Sequence, residues 1–118
     1  MAANSAFNIN GAFLINKGDE VFFGPTQYKL LRQIIKDGSI NAAAKNLNMS
    51  YQHAWTIIDK MNKLSPIPLV IRQKGGKDGG GCRISDYGIR IYEEFSHRES
   101  LFKEFLEIMN NGLDGCFI

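Results

Sequence analysis

Cysteine and histidine are scarce in this chain, and their scarcity removes whole classes of function. Cys82 sits beside a glycine cluster and Cys116 near the C-terminus. Two cysteines cannot make the dense framework of a small secreted domain, so they read as free thiols in a reducing cytosol. His53 and His97 are isolated and lack metal-ligand spacing, so no metal is expected. No Ser-His-Asp or Cys-His arrangement can be assembled from so few candidates, which argues against an enzyme. No apolar run approaches the roughly 20 residues of a membrane span. No basic start leads into an apolar run, as a signal peptide would. The expected location is therefore cytoplasmic, away from membranes. Net charge is also small, at +2, too little to argue for any partner.

The distribution of charge says more. Residues 51–90 carry seven basic side chains against three aspartates, a surplus of four. Residues 91–118 carry Arg98 and Lys103 against six acids, a deficit of four. A basic middle and an acidic tail point to an anionic ligand met by one region only.

The chain length suits one domain, and its punctuation divides that domain into three parts. Residues 1–25 hold short apolar runs, Ala12 to Ile15 and Val21 to Phe23, on either side of Lys17-Gly18-Asp19, which predicts a hairpin. Gly24-Pro25 breaks the strand and offers Thr26 as a helix cap. Residues 26–85 begin with a helix from about Thr26 to Lys36, with Tyr28, Leu31, Ile34 and Ile35 on one face. Gly38 fits the left-handed position that ends a helix. Ser39 caps a second helix of about nine residues, with Ile40, Ala43, Ala44 and Leu47 inward. Asn48 tolerates a left-handed turn, and Ser50 caps a third helix with Ala54, Ile57, Ile58 and Met61 inward. Two short helices with matching stripes and a three-residue turn make a helix-turn-helix.

Pro66 and Pro68 end the third helix. Leu69 to Arg72 reads as a strand and Cys82 to Ile84 as its return. Five glycines in seven residues lie between them, from Gly75 to Gly81. This is a wing. The glycines match neither phosphate-binding register, G-x-x-x-x-G-K-[ST] or G-x-G-x-x-G, so nucleotide binding is not expected. Ser85 or Asp86 then caps a long helix, reaching about Asn110, that makes up most of residues 86–118. Ile91, Phe95, Phe102, Phe105 and Met109 sit at alternating three- and four-residue steps, with Arg98 interrupting, which predicts a coiled-coil-like dimer seam. The expected fold is mainly α with small β hairpins: a winged helix-turn-helix with a long C-terminal dimerisation helix.

If the third helix turns its apolar stripe inward, Gln52, Thr56, Lys60 and Lys63 face out, with His53 close to that side. Gln pairs bidentately with adenine edges, and Lys reaches guanine or phosphate. Recognition helices read bases with their N-terminal residues, which selects Ser50, Tyr51, Gln52, His53 and Thr56. Arg72, Lys74, Lys77 and Arg83 would carry the wing to phosphates or the minor groove. Ser39, at the second helix's start, joins this expected DNA-binding set. The plain alternatives are an exposed polar helix face and a solvated basic turn, neither with a ligand. Tyr51 and Trp55 lie one turn apart on the flank of the third helix. Trp55 reads as packing against the wing or the last helix, while Tyr51 stays open between packing and DNA contact.

Taken in order, Gly38-Ser39-Ile40, Ala43-Ala44-Lys45, Ser50-Tyr51, Ala54-Trp55, Met61-Asn62, Leu64-Ser65, Leu69-Val70, Arg72, Gly75-Gly76-Lys77, Gly79-Gly80-Gly81 and Gly88 resemble the N-terminal DNA-binding domain of the molybdate-responsive ModE regulators. These share the winged helix-turn-helix of the wider LysR type. The resemblance implies a bacterial homodimeric transcription factor whose third helix enters the major groove of double-stranded DNA, whose wing touches DNA, and whose first and last helices build the dimer. The full-length regulators continue into small β-barrel domains that bind molybdate. This chain stops at Ile118, so the resemblance carries over no cofactor. The expectation is a stand-alone regulator, or one whose signal comes from a separate sensor protein. The rival readings are a winged-helix protein–protein interaction module and a small-molecule sensor in the dimer interface.

Overall fold

The computed structural model describes residues 7–73 and 81–117 of the chain. Two hairpins and four helices follow one another in the order β1 (Ile15–Lys17), β2 (Glu20–Phe23), α1 (Pro25–Asp37), α2 (Ile40–Asn46), α3 (Tyr51–Leu64), β3 (Val70–Arg72), β4 (Cys82–Ile84) and α4 (Asp86–Asn110). A 3-10 turn over Asp114–Phe117 follows α4. Each hairpin is an antiparallel two-stranded sheet, too small to stand alone. Each therefore packs on the helices.

The first hairpin turns through Gly18, at φ 61°. Its first strand begins at Ile15, not Ala12, because the residues before it run along α4 instead. Lys17 Nζ donates to the Leu64 carbonyl at 2.8 Å, satisfying an orphan acceptor at the end of α3. The cap of α1 is Gly24, not Thr26. Pro25 has its φ pre-set for the first helical position, so the helix starts early and Thr26 falls inside its first turn. Gln27 Oε1 accepts from the Gly24 amide at 2.9 Å. Leu30, Leu31 and Ile34 are buried, whereas Ile35 is 46% exposed. The buried stripe is centred one residue away from the expected one.

The helix-turn-helix forms by local rules. Gly38, at φ 70°, donates to the Ile34 carbonyl and closes α1. Ser39 Oγ accepts from the Ala42 amide at 3.1 Å, and Ser50 Oγ accepts from the His53 amide at 3.0 Å. Such caps contribute about 1 kcal/mol each. Asn48 takes the left-handed turn at φ 55°. Ile40, Ala43 and Ala44 of α2 meet Ala54, Ile58 and Met61 of α3 in one buried cluster. The helix α2 is seven residues long rather than about nine, ending before Leu47.

The wing pairs Val70 with Ile84, Ile71 with Arg83 and Arg72 with Cys82. Its foot continues as Gln73 N to Gly81 O, 2.9 Å, and Ser39 bridges to Gly81. Asn62 of α3 holds the start of β3: its Oδ1 accepts from the Leu69 and Val70 amides, and its Nδ2 donates to the Val70 carbonyl at 3.0 Å. The expected strand loses Leu69 to this bond. Lys74 and Lys77, with the glycines from Gly75 to Gly80, lie outside the described residues.

Ser85, rather than Asp86, caps α4. Its Oγ accepts from the Gly88 amide and donates to the Pro68 carbonyl. Gly88 is where α4 crosses the wing: a Cβ there would lie 2.5 Å from the Leu69 carbonyl oxygen and 2.7 Å from Ile84 Cγ2. Gly88→Ala is thus expected to cost about 1–3 kcal/mol by overpacking, although alanine is the better helix former. Thermal melts of the two proteins check this; equal stability would mean that the crossing opens freely.

The predicted dimer seam needs correction at Phe95. This ring is wholly buried within the chain. It stacks on Phe13 at 4.7 Å between centroids and meets Phe23 and Tyr28 at 5.2 Å each. Ile91 also packs against the core, and Phe102 sits against Phe13 at 5.6 Å. The cover is the N-terminal segment, which runs along α4 towards its far end. Ile9 N donates to Asn110 Oδ1, and Asn110 Nδ2 donates back to the Ile9 carbonyl. Phe7 stacks on Phe117 at 4.6 Å. Beyond Phe95 the helix projects, so the molecule measures 61 × 29 × 22 Å. Its radius of gyration is 17.8 Å, against about 13–14 Å for a compact chain of this length. Leu101, Phe105 and Ile108, one stripe of that projection, are each more than half exposed.

Candidate nucleic-acid interface

The outer face of α3 is built by subtraction. Ala54, Trp55, Ile58 and Met61 turn inward. That leaves Tyr51, Gln52, His53, Thr56, Asp59, Lys60 and Lys63 exposed. Ser50, also exposed, is occupied as an acceptor by its capping bond, so it retains a donor and one lone pair. Thr56 Oγ1 donates to the Gln52 carbonyl at 2.9 Å. Its proton is thereby committed, and Thr56 can offer a ligand only its lone pairs and a methyl group. Among the described residues, none hydrogen-bonds the side chain of Gln52 or His53. Both keep their full donor and acceptor sets for a ligand.

Three cations of this surface are outside the ion pairs of the described residues. The ion pairs among the described residues are Arg98–Glu94 at 2.8 Å and Lys103–Glu99 at 3.9 Å, both on α4. Lys60, Arg72 and Arg83 are exposed and take part in neither. Arg72 lies with its guanidinium carbon 3.5 Å from the centroid of the Trp55 ring. Trp55 in turn meets Tyr51 edge-on, at 6.4 Å and 74°. The start of α3 and the wing strand are therefore one continuous surface. Ser39 bonds Ala42 through its side chain and Gly81 through its backbone, so it ties the start of α2 to the wing's foot. Arg83 stands on the second wing strand, opposite Ile71.

Sequence reasoning overlooked four neighbours of these residues. Glu20 and Asp59 share a shallow groove with Thr56, Lys60 and Lys63. Their carboxylates can accept from a cytosine amino group and repel phosphate, so this end of α3 does not present unopposed positive charge. Asn41 and Lys45 line a surface hollow with Ser39. Only their polarity and position near the helix-turn-helix could have flagged them. The other chemistry is sparse. Both cysteines are free, and burial pushes the Cys82 thiol above its usual range, away from thiolate reactivity. Among the described residues no group of three or more His, Cys, Asp or Glu could hold a metal ion. No helix there is long and apolar enough to cross a membrane.

Residues 25–88 match the family described as bacterial regulatory helix-turn-helix protein, lysR family. The match runs from the first residue of α1 to the crossing glycine of α4. Over 89 residues the chain is 43% identical to the molybdenum transport protein ModE of Azotobacter vinelandii, covering 75% of this chain and 33% of the relative. It is 38% identical over 91 residues to the transcriptional regulator ModE of Haemophilus influenzae, covering 77% and 36%. It is 34% identical over 92 residues to the DNA-binding transcriptional dual regulator ModE of Escherichia coli K12, covering 78% and 35%. The chain spans about a third of the length of these curated relatives.

Proposed function

Because the chain belongs to the lysR family of bacterial regulatory helix-turn-helix proteins, we propose that it is a sequence-specific, ModE-like DNA-binding transcriptional regulator. It acts as a homodimer, with α3 in the major groove and the wing on the flanking backbone. The observation that carries this reading is the outer face of α3: Gln52, His53, Thr56 and Lys60 are exposed. Gln52 and His53 can pair with base edges. Arg72, Arg83 and the wing's Lys74 and Lys77 supply phosphate contacts, which set register without reading sequence.

The exposed stripe Leu101, Phe105 and Ile108, with Met109 beside it, supports a dimer through the projecting part of α4. A two-fold dimer places its recognition helices roughly 34–36 Å apart, or a multiple of that, on an inverted repeat. A molybdenum oxyanion, suggested by the relatives' names, needs converging enclosed donors. Among the described residues the only buried side-chain nitrogen or oxygen without a partner is Trp55 Nε1. One indole N–H does not make an oxyanion site, so none is assigned among the described residues.

Binding-site selection from random duplexes tests the reading. Gln52→Ala is expected to change the preferred bases, whereas Lys77→Ala weakens all sites about equally and lowers the salt slope by about 1. Unchanged site preference across substitutions at Gln52, His53 and Thr56 would remove α3 from the role of reader. Absence of competable binding at low and moderate salt would instead favour a winged-helix module that meets a protein.

A further inference from the structure

We propose that Trp55 is a positioning residue that holds the Arg72 guanidinium flat, so that its planar N–H edge, and not its charge alone, grips the DNA backbone at the seam between α3 and the wing. This rests on the DNA-binding reading above and adds to it a residue that does not itself touch DNA.

The geometry has three parts. Trp55 is the sole tryptophan of the chain, and it is 8% exposed. The Arg72 guanidinium carbon lies 3.5 Å from the ring centroid, well inside the roughly 6 Å over which a cation is attracted to an aromatic face. Arg72 itself is exposed and takes part in no ion pair among the described residues. Stacking uses only the π face of a guanidinium. The edge donors stay free, in a fork that matches two phosphate oxygens. An arginine already held in one plane has less freedom to lose on binding than one in solvent.

The identity of residue 55 supports the same conclusion. Its Nε1 is buried with no hydrogen-bond partner among the described residues. Packing alone would be met by phenylalanine, without a stranded donor. Tryptophan is the strongest of the aromatic faces towards a cation, which gives this position a reason to carry it. The strand is also fixed independently: Asn62, two turns further along α3, holds Leu69 and Val70. Trp55 is therefore not needed to attach β3. Tyr51, on the first turn of α3, meets the indole edge-on.

The test is a set of anisotropy titrations of the selected duplex at several salt concentrations, with Arg72→Lys, Arg72→Ala, Trp55→Phe, Trp55→Leu and the Trp55→Leu/Arg72→Lys double variant. Arg72→Lys keeps the charge, and hence the salt slope, yet is expected to bind about tenfold more weakly; Arg72→Ala loses affinity and about one unit of slope. Trp55→Phe restores binding to within about threefold of wild type. Trp55→Leu falls to the level of Arg72→Lys, and the double variant falls no further, because the two act as one unit. Emission of the sole tryptophan in DNA-free protein gives a second readout that does not depend on Trp55 variants folding. It should change in both Arg72 variants, and an unchanged spectrum would overturn the stack. Wild-type affinity in Arg72→Lys, or additive losses in the double variant, would overturn the positioning role while leaving the DNA reading intact. Absence of competable binding by the wild-type chain would overturn both.

Discussion

Phe95→Ala is expected to lower unfolding free energy by about 3–5 kcal/mol, the range for emptying a buried aromatic site. Phe95 is fully enclosed and touches aromatic rings from three separate parts of the chain: Phe13 before β1, Phe23 of β2 and Tyr28 of α1. No single neighbour can move to fill the space. Phe105, ten residues further along the same helix, is 56% exposed. Phe105→Ala should leave the unfolding of the monomer within roughly 0.5 kcal/mol of wild type, and should instead lower the concentration-dependent part of stability that a dimer adds. Urea unfolding at two protein concentrations separates the two. A mild Phe95→Ala that mainly shifted the oligomer equilibrium would return Phe95 to the interface.

Asn62→Ala is expected to cost about 2–4 kcal/mol, since a buried backbone group left without its partner costs about 1–3 kcal/mol. One side chain serves three backbone groups, the Leu69 amide at 2.8 Å, the Val70 amide at 3.3 Å and the Val70 carbonyl at 3.0 Å. Leu69 and Val70 are both buried, so water cannot replace the amide. Asn62→Asp should be no better, because a carboxylate oxygen would face the Val70 carbonyl where an N–H now donates. Hydrogen exchange at the Leu69 amide, alongside a thermal melt, reads the effect. Slow exchange retained in Asn62→Ala would mean that the strand holds its place without this tie.

The helix-turn-helix was legible because its determinants are local. Gly38, Ser39, Asn48 and Ser50 each act on the few residues beside them, and the inward stripes repeat at helical spacing. The exposed polar residues of α3 followed from the same stripe. The partner of an apolar face is a different matter. Periodicity showed that Phe95 and Phe102 share a side of the last helix, but not that Phe13 would cover them, because that contact is fixed by the whole fold. The carboxylate of Glu20 was hidden for the same reason: it reaches the groove beside Asp59 only once the first hairpin packs on α3. Gly24 as a cap was hidden by Thr26, the better capper by propensity, until Pro25 decided the register.

The bonds between Ile9 and Asn110 join residues 101 apart, and that separation governs the order of events during synthesis. Phe7 and Phe13 emerge early, yet their partners Phe117, Phe95 and Phe102 are made some eighty or more residues later. At roughly 5–20 residues per second, these two rings remain without their final cover for something on the order of 5–20 seconds. The winged core can close around α1, α2 and α3 in that interval. The projecting end of α4 gains its cover after that.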